Sequence, residues 1–379
     1  MKILQISPRP PDFPAGVEIF VKKLTKSLKE KELVCDILTG DPKYPSESVR
    51  TISGIKCIFQ KFIFAFGGVN FEIFNTFKTL IKIGKNYDIL HIHSFVTISG
   101  LQALLYAKIF RKPAIMTIHG NLKNPIIKNQ SILQTLKMYL IRIYYNLLGK
   151  MIVGFADAVI SVSKIDLMNI NKELFCSRKK NNYWIPNCIS LKSKLPNFTR
   201  KYITYIGRLS SRKGFDDFIK IMDVVNTKYP KIPILIIGEG PLQFLIDQYK
   251  TKLNIHYIKK VSNEKIQDFY CKTKLFVMNS WVEGLPTVIL EAMAYEAVVV
   301  STNIGGIPEL IIDKENGRLF SPGEIILPAE IICYLLENEI IQKKYVQNSI
   351  KLIKRKFTCR SIAENHLKIY SKIMREMST

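Results

Sequence analysis

The feature that most limits what this chain can fold into is an alternation. Short, mainly apolar runs, too short for helices, are each followed by a segment with helical spacing. In the first half the runs are Ile3 to Ile6, Val34 to Thr39, Ile89 to Ile92, Ala114 to Ile118 and Ala158 to Ser161. Alternating strands and helices with short loops imply a parallel sheet covered by helices on both faces. Between the first two runs, the Pro-rich loop Pro8 to Pro14 precedes a helix that starts near Gly16. Val17, Phe20, Val21, Leu24 and Leu28 recur there at helical spacing, and Lys22, Lys23, Lys26 and Lys29 occupy the other face.

The pattern stops between Pro186 and Lys201, where Pro186, Asn187, Ser190, Ser193, Pro196 and Asn197 break the periodicity. It then restarts. Strands are expected at Tyr202–Ile206, Ile234–Ile237, Ile255–Ile258, Leu275–Met278 and Val298–Thr302. Helices are expected at Phe215–Tyr229, Leu242–Leu253, Asn263–Tyr270 and Val288–Tyr295, and a mostly helical end runs from about Pro328 to Met377. A chain of 379 residues is too long for one ordinary domain and fits two. Two Rossmann-like, doubly wound α/β units in tandem follow.

Charge and cysteine content narrow the setting. Fifty-six Lys and Arg against 31 Asp and Glu leave a net charge of +25, which attracts nucleic acid, an anionic membrane face or phosphorylated substrates. No acidic residue stands between Asp88 and Asp157, whereas Lys108, Arg111, Lys112, Lys123, Lys128, Lys137, Arg142 and Lys150 do. A Lys- and Ile-rich bias accounts for part of the excess but not for this clustering. There is no block of five basic residues, no aromatic-flanked basic repeat and no known binding module, which argues against nucleic acid. The seven Cys show no C-x-x-C and no paired spacing. They read as buried reduced thiols of a cytosolic protein, not as a disulfide framework or zinc site. Met1 to Pro8 is too short and too soon broken for a signal peptide. Met138 to Val162, the most hydrophobic stretch, is interrupted by Arg142, Lys150 and Asp157, short of the roughly 20 apolar residues a spanning helix needs. The expected location is cytoplasmic.

In doubly wound sheets ligands bind beyond the carboxyl ends of the strands, and the loops there hold the unusual residues. Gly207-Arg208-Leu209 ends one strand, and Lys213-Gly214 stands before the next helix. Backbone N–H groups, a helix N-terminus and two cations in one loop suit a phosphate; a solvated basic turn is the plainer alternative. Gly238-Glu239-Gly240 permits close approach of backbone to ligand. Glu283-Gly284-Leu285-Pro286-Thr287 is followed by Leu290-Glu291-Ala292-Met293-Ala294. Two carboxylates able to grip vicinal hydroxyls thus bracket a helix start able to hold an anion. The alternative is that Glu283 caps the helix and Glu291 is an exposed helical acid. Asn303 to Glu309 contains the pair Gly305-Gly306, open to a ligand, and Pro308 in a first-turn position. In the first half, Gly16 opens a helix with no side chain in the way, and His93 and His119 follow strands. His91 reads as structural, and His119 before Gly120 as the functional candidate.

Together these residues resemble the retaining glycosyltransferases with the two-domain GT-B fold, glycosyltransferase family 4 (group 1 glycosyltransferases). The resemblance runs from Gly16 to Asn316-Gly317 and is strongest at Gly-Arg-Leu-x3-Lys-Gly, 207–214, and Glu-x7-Glu, 283–291. It implies two Rossmann-like domains facing across a cleft: residues 1–190 for the acceptor and 191–359 for the donor, with a last helix, about 360–379, packing back on the first. It implies a hexosyl transfer from a nucleotide-sugar with retention of configuration and without metal; no Asp-x-Asp is present. Arg208 and Lys213 would hold the diphosphate and stabilise the leaving group. Glu283 and His119 would face the transferred sugar, and Glu291 the ribose. Gly16, Gly207, Gly238, Gly284, Leu285, Pro286 and Thr287 would line the donor. Two departures stand out. The usual Gly-Gly before the first helix is Ala15-Gly16, and the usual Gly and then Pro-Val-Val after Ala294 are replaced by Tyr295-Glu296-Ala297-Val298-Val299-Val300.

Acceptor and linkage carry no motif. Val49 to Phe74 and Gly120 to Leu133 are expected to be specificity loops. Ile126 to Phe155, basic and rich in Ile, Leu and Tyr, suits an anionic membrane surface and equally a buried helix pair with lysines at its rim. A glycan or lipid-linked acceptor, at the inner face of the cytoplasmic membrane, is the default expectation. A sugar-nucleotide epimerase, a glycan phosphorylase and a non-catalytic subunit of a glycosyltransferase complex are the rivals. The first would turn over donor without acceptor, the second lacks an identifiable pyridoxal-phosphate lysine, and the third leaves the charged constellation unexplained.

Overall fold

The computed structural model describes every residue except 14, 66–71, 94–96, 121–153, 174–180, 193–194, 263–264 and 379. The chain forms two compact units, Met1–Cys188 with Cys359–Thr379, and Ile189–Thr358.

Unit 1 contains β1 (Lys2–Ile6), α1 (Gly16–Lys29), β2 (Val34–Thr39), β3 (Ser48–Ile52), β4 (Ile55–Phe59), β5 (Phe62–Ala65), β6 (Glu72–Phe74), α2 (Thr76–Ile83), β7 (Ile89–His93), α3 (Ile98–Ile109), β8 (Ala114–Ile118), β9 (Ala158–Ser161), α4 (Lys164–Glu173) and β10 (Asn181–Trp184). The main sheet runs β10-β9-β8-β7-β1-β2-β4-β3, parallel throughout except for the edge pair β3–β4. Neighbouring residues of β1 enter different cores. Ile3 packs with Phe20, Val21, Leu24 and Leu28 of α1, and with Ile362, Tyr370 and Ile373 of the C-terminal helix Cys359–Ser378. Leu4 and Ile6 pack with Leu80 of α2 and Leu104 and Ala107 of α3. Burial on both faces is why these strands carry so little polar alternation.

Val49 to Phe74 is not a loop in its described part. It holds β3 and β4, paired antiparallel, and the two-stranded sheet β5–β6. The signal is present in Ser53-Gly54, flanked by Ile52 and Ile55. Both residues take positive φ, 53° and 79°, as a two-residue hairpin turn requires. Gly120 to Leu133 lies outside the described residues apart from Gly120, as does Ile126 to Phe155 apart from Gly154 and Phe155.

Unit 2 contains β11 (Tyr202–Ile206), α5 (Phe215–Lys228), β12 (Ile234–Ile237), α6 (Phe244–Tyr249), β13 (Ile255–Ile258), α7 (Ile266–Cys271), β14 (Thr273–Met278), α8 (Thr287–Ala294), β15 (Val298–Thr302), β16 (Arg318–Phe320), α9 (Ile326–Glu337) and α10 (Glu339–Lys356). Its sheet is wholly parallel, in the order β13-β12-β11-β14-β15-β16. Numbered from β11 this is the 3-2-1-4-5-6 order of dinucleotide-binding folds. The winding reverses between β11 and β14, the place where sheets of this kind bind ligands.

The Tyr295–Ala297 departure leaves a local strain. Ala297 N–H donates to Ala292 O at 2.9 Å and Glu296 N–H to Met293 O at 3.1 Å, a Schellman closure of α8. Its left-handed position is held by Glu296, φ 60°, where glycine is the residue without penalty. Arg200 bridges the turn, donating to Tyr295 O at 2.7 Å and to Glu296 Oε2 at 3.3 Å. The second contact is half exposed and contributes little. Glu296→Gly is therefore expected to raise unfolding stability by about 1 kcal/mol. Denaturant titration checks this; an equal or lower midpoint would contradict it.

Candidate active site

Two loops at the winding reversal of unit 2 bring the charged residues together. The loop after β11 carries Arg208 and Lys213, and the loop after β14 carries Ser280 and Glu283. Lys213 Nζ donates to Glu283 Oε1 at 2.5 Å, and Ser280 Oγ donates to the same oxygen at 2.6 Å. The Glu283 carboxylate is 9% exposed and the lysine side chain 34%, so the ammonium stays within reach of a ligand. Arg208 is exposed and has no ion pair among the described residues. The loops also meet through backbone: Trp281 N–H donates to Arg212 O at 3.0 Å. Gly214, at φ 63°, lies so close to Asn279 that an added Cβ would stand 1.9 Å from the Asn279 carbonyl oxygen. No other residue fits there without moving one loop from the other.

The helix start without acidic residues lies after β14 and not after β11. A 3-10 turn, Ser211–Lys213, intervenes after β11, and Asp216 and Asp217 fill the first turn of α5, opposing a second negative charge there. Asp217 instead accepts from Trp281 Nε1 at 3.0 Å. α8 begins at Pro286 with no side-chain cap and no acid in its first turn, so the positive end of its dipole is unopposed. Leu285 is buried, and Gly284, Pro286 and Thr287 form the backbone entering the helix. Glu291 lies one turn further on, where Tyr270 Oη donates to its Oε2 at 3.0 Å. Tyr270 is fully buried and stacks on Tyr295, ring centroids 5.7 Å apart, so a core residue fixes this carboxylate.

The remaining glycines shape the backbone of this site. Gly238, φ 144°, abuts Gly207: a Cβ would stand 1.9 Å from Gly207 O. A Cβ added to Gly305, φ 51°, would likewise stand 2.0 Å from Glu283 O, and Gly306 N–H donates to Gly284 O at 2.7 Å. The Gly305-Gly306 pair thus supports the Glu283 loop; its close approach is to protein backbone.

Unit 1 carries Gly16 and His119, described by themselves. Gly16 is exposed at the start of α1. His119 follows β8 within a cluster of four imidazoles. His93 Nδ1 is 3.0 Å from His119 Nε2, and His93 Nε2 is paired with Gln5 Oε1. His91 bonds Tyr370 Oη and Thr117 Oγ1, both at 2.7 Å, tying the C-terminal helix to the sheet. Its structural reading fits this geometry. Burial holds His91 and His93 well below the usual range, and burial followed by His366 brings His119 to about 3. All are neutral near pH 7. The Gln5 amide oxygen faces His93, and its nitrogen faces Cys35 Sγ at 3.6 Å. His93 therefore carries its proton on Nε2 and accepts on Nδ1 from His119 Nε2–H. His119 Nδ1 is left as an acceptor.

Sequence reasoning passed over Ser280 and the Tyr270 hydroxyl, and it named Gly214 and His93 without seeing that they position their neighbours. It also passed over Glu18, which lies two residues beyond Gly16 and is 4% exposed. Burial pushes its carboxyl up to about 7, against the pull of Arg9. A folded-state pKa above the unfolded value means that the native protein holds this proton longer. Stability should fall as pH rises from about 4.5 to about 7, by on the order of 3 kcal/mol, and then level. Glu18→Gln is expected to flatten that slope and to be more stable than the parent at pH 8. Urea midpoints at pH 5 and pH 8 test this, and an unchanged slope would contradict it.

Comparison with known proteins gives this arrangement a family. Residues 190–352 match the model of the glycosyl transferases group 1, and residues 14–193 that of Glycosyltransferase Family 4. An uncharacterized glycosyltransferase of Methanocaldococcus jannaschii is 26% identical over 98% of this chain and 99% of its own length. Among solved structures, sucrose-phosphate synthase from Thermosynechococcus elongatus matches with a TM-score of 0.77 at 20% identity, covering 99% of each chain. Anabaena HepE in complex with UDP-glucose matches at 0.73 and 17% identity, over 98% of this chain and 100% of that one. These structures share the two-domain GT-B fold with this chain. With its two halves matched in order by the two models, the chain belongs to glycosyltransferase family 4, the group 1 glycosyltransferases, which are retaining and typically metal-independent enzymes that transfer a sugar from a nucleotide-sugar.

Proposed function

We propose that this glycosyltransferase moves a hexosyl group from a nucleoside-diphosphate sugar to a glycan or lipid-linked acceptor in the assembly of a surface polysaccharide, at the inner face of the cytoplasmic membrane. The observation that carries the donor assignment is the Lys213–Glu283 contact across the winding reversal, beside the uncapped start of α8. A nucleotide-sugar needs cations for its diphosphate and carboxylates for hydroxyls at both ends. Arg208 and Lys213 supply the first; Glu283, for the sugar, and Glu291, for the ribose, supply the second. As the sugar–phosphate bond breaks, charge grows on the departing diphosphate. Arg208, Lys213 and the N–H groups of Gly284 and Thr287 would receive it, each charged hydrogen bond contributing about 1.5–3 kcal/mol. Gly207 is assigned to the donor's path, and Gly238 to holding the Gly207 backbone in place beside it. Gly16 and His119 are assigned to the diphosphate and the sugar; a neutral His119 accepts a hydrogen bond from a sugar hydroxyl through Nδ1 without adding charge. Since HepE holds UDP-glucose, a uridine nucleotide is the first donor to test.

The membrane assignment is supported by α3 and its end, where exposed Leu105, Ile109 and Phe110 lie among Lys108, Arg111 and Lys112. Apolar side chains with cations beside them suit an anionic interface. Among the described residues no helix is long and apolar enough to cross a membrane. Flotation with anionic and neutral vesicles tests the assignment; absence from both would refute it.

For the donor, UDP-, GDP-, ADP- and CMP-sugars should be screened by thermal shift, with and without EDTA. One nucleotide class is expected to raise the melting midpoint, equally in EDTA, and to lose that effect in Arg208→Ala and Glu291→Ala. Arg208→Ala should also lower kcat by about 10²–10³-fold. No shift with any donor, or a shift abolished by EDTA, would overturn the site assignment. Donor epimerised without acceptor would overturn the transfer.

A further inference from the structure

The chain leaves unit 1 after Cys188 and re-enters it at Cys359. The residues just inside unit 2 hold these two crossings side by side: Ile189 N–H donates to Phe357 O at 2.8 Å, and Ile189 bridges Thr358 in parallel. That pairing brings together two thiols separated by 171 positions, with Cys359 Sγ 2.6 Å from Cys188 Sγ. Two other thiol contacts among the described residues are longer, 3.6 Å from Gln5 Nε2 to Cys35 Sγ and 3.5 Å from Cys57 Sγ to Ile55 O. Both sulfurs belong to the core of unit 1, among Ile185, Ile362 and Ala363, at 2% and 7% exposure.

We propose that Cys188 and Cys359 form a redox site, a dithiol that a low-molecular-weight disulfide converts into an intrachain disulfide joining the two crossings. In the first step one thiol, as thiolate, attacks a sulfur of the small disulfide. A mixed disulfide forms and one small thiol leaves. The second cysteine, also as thiolate, attacks the protein-bound sulfur and displaces the second small thiol. Two protein thiols and one small disulfide thus become one protein disulfide and two small thiols; the protein is oxidised and the small disulfide reduced. Cys359, the more exposed of the two, is the better placed to make the first attack. Burial, followed by the neighbouring Cys359, raises the Cys188 thiol well above its usual range, so exchange is slow until the crossing opens. The bond encloses all of unit 2 in one covalent loop. A long loop restrains the unfolded chain strongly, so the oxidised protein resists unfolding more than the reduced one. None of this depends on the donor assignment.

The test is to incubate the full chain with oxidised glutathione, quench with acid, alkylate and digest with trypsin. The expected product joins the peptide Asn181–Lys192 to Phe357–Arg360, disappears on treatment with dithiothreitol, and is absent from Cys188→Ser and Cys359→Ser. Oxidation should raise the thermal midpoint of the parent by on the order of 5 °C and leave both variants unchanged. Recovery of both peptides fully alkylated, or linkage of either cysteine to a different partner, would overturn the proposal.

Discussion

A single ion pair joins the two loops on which the donor site is built. Lys213 comes from the end of the loop after β11, and Glu283 from the loop after β14. These strands are neighbours in the sheet, but their connections leave in opposite directions, so nothing in the sheet itself holds the loops together. The contact does so, together with the Trp281–Arg212 backbone hydrogen bond, through side chains proposed to bind the ligand. Ser280 on the same carboxylate oxygen and Gly214 against Asn279 make the arrangement specific to these positions. Such a pair is poised for exchange. A diphosphate can take over the ammonium, and a sugar hydroxyl can donate to the carboxylate, with little movement of the backbone.

The two units handle charge in different ways. Unit 2 presents formal cations and carboxylates next to a helix dipole, which suits a ligand that is a dianion at one end and a polyol at the other. Unit 1 places four imidazoles in a cluster, three of them buried, where desolvation keeps them neutral. There the chemistry is set by proton position. The chain from Gln5 through His93 to His119 fixes which nitrogen of His119 can accept. Tyr370 on His91 links that cluster to the C-terminal helix, so the return of the chain to unit 1 also supports the interior behind His119.

Much of this was legible in sequence because parallel strands buried on both faces leave long apolar runs, and loops at strand ends must carry whatever polar chemistry there is. The strands expected in unit 2 and the residues Arg208, Lys213, Glu283 and Glu291 followed from that. What escaped did so for identifiable reasons. The β3–β4 hairpin is an edge feature announced only by Ser53-Gly54. Tyr270 reads as an ordinary core aromatic until its hydroxyl is seen on Glu291. Gly305 looks like a ligand-binding glycine because the sequence cannot tell a nucleotide from a neighbouring loop as the object of close approach. His93 looked like one more strand-end histidine, and the tautomer it imposes on His119 exists only in three dimensions. Cys188 and Cys359 are invisible as a pair because no sequence rule brings residues so far apart together.

The central claim is that the donor site is divided, with Arg208 and Lys213 on the diphosphate and Glu283 on the sugar. Calorimetric titration of Glu283→Gln with a nucleoside diphosphate, and with the same nucleotide bearing its sugar, tests it most directly. The expected result is a loss of about tenfold in affinity for the nucleotide-sugar, from one charged hydrogen bond, and no loss for the nucleotide alone, because Lys213 is then released to the phosphate. An equal loss for both ligands would contradict the division and would make Glu283 a support of the loop and no sugar ligand.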